Sequence, residues 1–260
     1  MPLLFLLVKG DLMVEKLKKL NWEKIIFIVV FVTLIASAIY SLVNVIIAPT
    51  SPLHIERYEK VKSDYLLMLI QCILGMFIML LPSMIEKKWK IDIPSYMNII
   101  FVIFLYAAIY LGEIKSFYYH VPHWDTVLHA FSGVMLGALG FSLVTLLNNA
   151  EKVKIQLSPL FVAIFAFNFA MSLGVLWEVY EFAFDAILGL NMQKFALENG
   201  APLIGRAALN DTMKDLIVDA IGALAISLIG FTSMKSKKLW LERFQFKKLD
   251  KEEADTSINI

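Results

Sequence analysis

Charge is what this sequence has least of. Only 18% of its 260 residues are Asp, Glu, Lys or Arg, against 59% hydrophobic residues, and the mean hydropathy is +0.70. That shortage excludes an ordinary soluble domain and points to a polytopic membrane protein. Cysteine is nearly missing as well. The single Cys72 lies in an apolar run, which excludes an intramolecular disulfide and a cysteine-based metal centre and reads as a small apolar filler. Neither sign of charge dominates, the net being +1. No basic patch with interleaved aromatics occurs, so nucleic acid is not an expected partner. A convincing signal peptide is lacking, because MPLLFLLV is short and has no basic start. Met13 reads as an alternative start, since MVEKLKKLNWEK is a basic lead-in to a membrane helix. No internal repeat stands out.

What the chain does have is apolar runs of about 20 residues, the length needed to cross a bilayer. Six meet that criterion: Ile25–Ala48, Tyr65–Ile85, Tyr96–Gly112, Trp124–Leu147, Pro159–Leu188 and Thr212–Met234. The expected fold is all-α, a polytopic membrane helix bundle of about six transmembrane helices. It divides into a basic lead (1–24), a three-helix part (25–123), a three-helix core carrying a polar site (124–234) and a partly disordered tail (235–260). Lysine distribution orients it. The lead, the loop with Lys87, Lys88 and Lys90, the loop with Lys152 and Lys154, and the tail from Lys235 carry most of the basic residues. The positive-inside rule makes that side cytoplasmic, so both termini face the cytoplasm of a cell membrane and the bilayer is the first partner.

On that orientation His54, His120, His123 and His129 all fall at the outer side, and so do the acids within the spans. Asp125 and His129 are four residues apart on the fourth span, hence on one helical face. The same span holds Ser132, Gly133, Gly137 and Gly140, small residues that let other helices approach. Glu178, Glu181 and Asp185 form one stripe on the fifth span, and Asp211, Asp215 and Asp219 recur every four residues on the sixth.

Each group has a plain structural alternative. Asp125 and Asp211 suit helix N-caps, His129 an interhelical hydrogen bond, and Glu181 and Asp185 a wet interface. Glu178, deep in its run beside Trp177, is the strongest functional candidate. Together His129, Glu178, Glu181, Asp215, Asp219 and Asp125 form a candidate acid–base or ligand set. His129, Glu178 and Asp215 suit a divalent metal as a possible cofactor. Arg206 could balance the charge or meet an anionic headgroup. The connections Glu113–His123 and Asn191–Asn210 are expected at the interface, the first because it is rich in aromatics.

The strings WDTVLH, SGVMLG, LWEVYEF and NDTMKDLIVDAIGAL resemble the YjdF-like group of uncharacterised bacterial membrane proteins. More distantly they resemble the VanZ-like family, associated with resistance to teicoplanin. In that pattern an Asp and a His four apart open one helix, a Glu lies in the next, and an Asp–x3–Asn–x2–Gly run opens the last. Asp125, His129, Glu178, Asp215 and Gly222 match those places. Asp219 stands where the pattern has Asn, Glu181 where it tends to have Gln, and Arg206 is farther from Asp215. The resemblance covers about residues 124–230 and implies a fold and a site location. Three functions follow: binding or modifying a lipid-linked or amphipathic molecule at the cell envelope, proton- or ion-coupled transport, or a structural membrane subunit. Whether the protein is an enzyme, and its oligomeric state, are left open by the sequence.

Overall fold

The computed structural model describes residues 21–50, 60–148, 157–197, 201–236 and 246–248. The basic lead as far as residue 20, His54, Arg57, Lys152, Lys154 and the tail beyond residue 248 lie outside the described residues. Among the described residues, seven helices carry the fold. They are α1 (Trp22–Ile47), α2 (Lys62–Trp89), α3 (Ser95–Leu105), α4 (Phe117–His120), α5 (Trp124–Asn148), α6 (Pro159–Leu188) and α7 (Arg206–Lys235). A π-helical segment, Tyr106–Ile114, continues α3. Six of the helical spans are long and apolar enough to cross a membrane. Their outward faces carry large apolar side chains such as Ile46, Val127 and Ile187. In water such a surface would be an aggregation liability, and in lipid it is the expected covering.

Local chemistry sets the ends. Asn21 Oδ1 accepts from the Lys24 amide at 3.1 Å, and Ser158 Oγ from the Phe161 amide at 3.2 Å, each satisfying an otherwise orphaned N–H. Pro159 then opens α6, where its missing N–H costs nothing. Gly189 closes α6 at φ 66°, a left-handed position that glycine takes without a Cβ clash. Among the described residues, Ile91–Asp92 pairs antiparallel with Lys247–Lys248, and Ala196 and Pro202 form an isolated bridge.

Two groups of helices result. In the first, α1, α2 and α3 enclose Val30, Leu34, Cys72, Met79, Val102, Leu105 and Ile109. Cys72 is buried and free. In the second, α5, α6 and α7 pack on one another through small residues and a core that includes Phe141, Val144, Val162 and Ala166. Leu67 of α2 meets Leu190 and Met192 of the loop after α6 and ties the groups at one end. Trp124 of α5 reinforces the tie, its Nε1 donating to the Ala107 carbonyl at 3.3 Å.

Several expected boundaries move. The sixth span starts at Arg206, with Gly205 as its cap at φ 62°, not near Thr212. Asp211 is therefore in the second turn and is not a cap. Asp125 also fails as a cap, since α5 begins one residue earlier and Asp125 lies in its first turn. The third span runs to Ile114, because the π segment extends it past Gly112. Asp185 is not a wet interfacial acid. It is buried, and its two carboxylate oxygens accept from the amides of Met192 and Gln193 at 2.7 and 3.0 Å. It fixes the first turn of the following loop, which a free carboxylate in water would not do.

Candidate functional site

The site lies where the first two turns of α5 and the third and fourth turns of α7 meet α6 near Gly174 and Glu178. Glycine makes that meeting possible. A Cβ on Gly133 of α5 would stand 2.6 Å from the Asp219 carbonyl oxygen, and one on Gly222 of α7 would stand 2.6 Å from the Ala130 carbonyl oxygen. The two backbones are thus in direct contact, as small residues permit in membrane helices. On the third side, a Cβ on Gly174 of α6 would stand 2.6 Å from Asp219 Oδ2. Gly133 of α5 and Gly174 of α6 thus lie directly against Asp219, while Gly222 of its own helix lies against α5.

Against Asp219 stands His129. Its Nδ1 lies 3.3 Å from Asp219 Oδ2. The contact pairs a ring nitrogen with a carboxylate oxygen, and against an ionised carboxylate, which only accepts, Nδ1–H is the donor. Ser132 Oγ sits 2.8 Å from the His129 carbonyl oxygen and 3.1 Å from Asp219 Oδ1, and its hydroxyl holds the second carboxylate oxygen in place. The far side of the imidazole faces two more acids. Nε2 is 3.8 Å from Asp125 Oδ1 and 3.9 Å from Asp215 Oδ2. One ring is thus bracketed by three carboxylates from two helices. Asp215 and Asp219 are 2% and 3% exposed, while the Asp125 side chain, at 27%, is the open edge.

Glu178 of α6 joins from the third helix. It is 5% exposed, and neither carboxylate oxygen has a hydrogen bond among the described residues. Thr212 and Gln193 stand beside it, but Gln193 Nε2 donates to Thr212 Oγ1 at 2.9 Å. Glu181 is held differently, accepting from Trp177 Nε1 at 2.9 Å. The structure thus brings Asp125, His129, Asp215 and Asp219 into direct contact range, with Glu178 on the adjoining helix. It ties Glu181 to an exposed tryptophan, and leaves Arg206 exposed at the helix start.

Three residues that the sequence did not single out also belong here. Tyr118, on α4, has its phenol held well above the usual tyrosine range, first by burial and then by Asp125, Glu113, Glu181 and Asp215. It stays a neutral O–H facing the acids. Its ring occupies space that Gly112 leaves open, since a Cβ there would be 2.5 Å from Cε2. Lys194, in the loop after α6, has its Nζ 5.0 Å and 5.4 Å from the ring centroids of Tyr118 and Tyr119. Burial pulls its ammonium toward the neutral form, but Tyr119, Glu113, Asp125 and Glu181 outweigh that and hold it above the ordinary lysine range. Glu113 is buried at the end of the π segment, a helical irregularity frequent at functional sites. The available signal was a lone acid closing an apolar run, with a lysine in an otherwise uncharged stretch of the facing loop.

Comparison with known proteins follows the same outline. A family described as "Predicted membrane protein (DUF2238)" matches residues 25–236, which spans both helix groups and the whole site. The chain belongs to that family. Within reach of this DUF2238 protein, an "Uncharacterized protein" of Thermotoga maritima is 26% identical over 163 residues, 62% of this chain and 76% of that one. No solved structure matches.

Chemically, the arrangement offers a histidine whose Nδ1 is locked by Asp219, leaving Nε2 directed at the two carboxylates nearest the open edge. Such a histidine can hold a proton or a cation between those carboxylates, or pass a proton to a molecule reaching in past Asp125.

Proposed function

We propose that this DUF2238 protein binds or modifies a lipid-linked or amphipathic molecule of the cell envelope, at the outer leaflet, through the Asp125–His129–Asp215–Asp219 cluster. His129 is the acid–base or ligand group, Glu178 shares that role from α6, and Glu181 supports them. The observation that carries this reading is the single imidazole bracketed by carboxylates at one end of the bundle. Ionisable groups within a membrane are costly, and function is the usual reason for keeping them. The outward orientation, with both termini cytoplasmic, is supported by the lysine-rich connections at the opposite end. The likeness of Asp125, His129, Glu178, Asp215 and Gly222 to the VanZ-like pattern supports an envelope role.

Transport is the weaker reading. Among the described residues, the buried polar side chains in the other halves of α5 and α7 are Ser142, Ser227 and Ser233. A charged route through the bilayer has little to build on there. The test is single replacement of His129 and Glu178 by Ala in cells lacking the native copy, with sensitivity to envelope-directed antibiotics as readout. Increased sensitivity in correctly inserted variants is expected. Wild-type sensitivity would overturn the envelope reading.

A further inference from the structure

The reading above leaves open what lies between His129 Nε2 and its two facing carboxylates. The oxygens of Asp125 and Asp215 and the imidazole nitrogen all lie within 4.8 Å of one another. With Nδ1 directed at Asp219 Oδ2, Nε2 is left facing one carboxylate oxygen of Asp125 and one of Asp215. Two carboxylates set this close repel each other, and in a low-dielectric setting the repulsion is poorly screened. A positive charge between the three atoms turns every one of these contacts favourable.

A second, independent observation points the same way. Asp215 is 2% exposed, its Oδ2 faces Nε2 at 3.9 Å, and its Oδ1 is buried with no hydrogen bond among the described residues. Buried carboxylate oxygens are costly unless paired or coordinating. The spacing is also close to that of a coordination shell. Nitrogen and oxygen ligands about 2.1 Å from a tetrahedral zinc stand roughly 3.4 Å apart. The two N···O separations are 3.8 and 3.9 Å and the three atoms lie within 4.8 Å of one another, so the side chains close inward onto the ion.

We propose that Asp125, His129 and Asp215 bind one divalent cation of the zinc–manganese class, through His129 Nε2 and one oxygen from each aspartate. Asp219 is then the positioning residue. Its bond to Nδ1 sets the tautomer and turns Nε2 to the metal, and Ser132 in turn holds Asp219. Glu178 is not part of this trio, so the ligand set differs from the His129, Glu178 and Asp215 expected on sequence. Two oxygens and one nitrogen suit a borderline cation better than a soft one. The exposed edge at Asp125 leaves the remaining coordination positions to water or to the polar group of an incoming molecule. This deepens the envelope reading and rests on the same cluster.

The test uses the full chain purified in detergent, with Zn2+ and Mn2+ as probes in calorimetric titration and elemental analysis of the same sample. One ion per chain is expected for the wild type. Asp125→Asn, at the open edge where packing is least disturbed, and Asp215→Asn should each weaken binding at least about tenfold. A wild type that takes up neither ion overturns the proposal without reference to any variant. Undiminished binding by Asp125→Asn overturns the ligand set. Antibiotic sensitivity of His129→Ala is scored separately. A metal-free wild type with a sensitive His129→Ala strain sinks the cation site and keeps the envelope role. A metal-binding wild type with a resistant His129→Ala strain does the reverse.

Discussion

His129 and Asp219, ninety residues apart in sequence, meet at 3.3 Å through Nδ1 and Oδ2. That contact exists because Gly133 and Gly222 let α5 and α7 touch backbone to backbone at the same level. Site geometry and helix approach are therefore one problem here.

Adding a methyl group at either glycine should separate the helices. Gly133→Ala and Gly222→Ala are each expected to cost about 1–3 kcal/mol, the range for overpacking a tight contact. Thermal unfolding in detergent micelles measures the loss. Envelope-antibiotic sensitivity should rise with it, since His129 and Asp219 are drawn apart.

Glu178 separates function from structural glue. Its carboxylate is buried without a hydrogen bond among the described residues, so a neutral isostere should relieve a desolvation cost. Glu178→Gln is expected to melt at or above the wild-type temperature while losing function. A melting temperature several degrees lower would mean that the carboxylate binds the helices together.

Lys194 counterbalances the acids from the loop side. Lys194→Met should destabilise by about 1–3 kcal/mol, between an exposed and a fully buried pair. Adding Glu113→Gln should recover part of it, which a double-mutant cycle reads directly. The folded lysine keeps its proton to a higher pH than the unfolded one. Its contribution is therefore whole below about pH 10 and fades only as pH rises through the folded value.

The side of the membrane that holds the site can be read with cysteines. Ile204, 85% exposed in the loop that leads into α7, lies at the site end, and exposed Lys88 lies at the other end. In intact cells an impermeant maleimide should label Ile204→Cys and spare Lys88→Cys. Cys72 is buried and adds little background. The opposite pattern would turn the site to the cytoplasm.

The helices themselves were legible in the chain, because a run of apolar residues long enough to span a bilayer permits hardly any other backbone arrangement. The acids and the imidazole were legible as a group for a related reason: ionisable side chains stand out in an apolar background. The caps were misread. Asp125 and Asp211 have capping chemistry, but helix starts are fixed by the neighbouring turns, with His123 at φ 62° before α5 and Gly205 before α7.

Sequence alone thus determined the six apolar spans and the stock of titratable groups, since both depend on composition along one segment. Only tertiary structure decided which acids face His129, that Asp185 serves a loop, and that Lys194, Tyr118 and Glu113 lie close by. Those outcomes depend on helix rotation and approach distance. These are set by where glycines on different helices happen to coincide, which no single helix records.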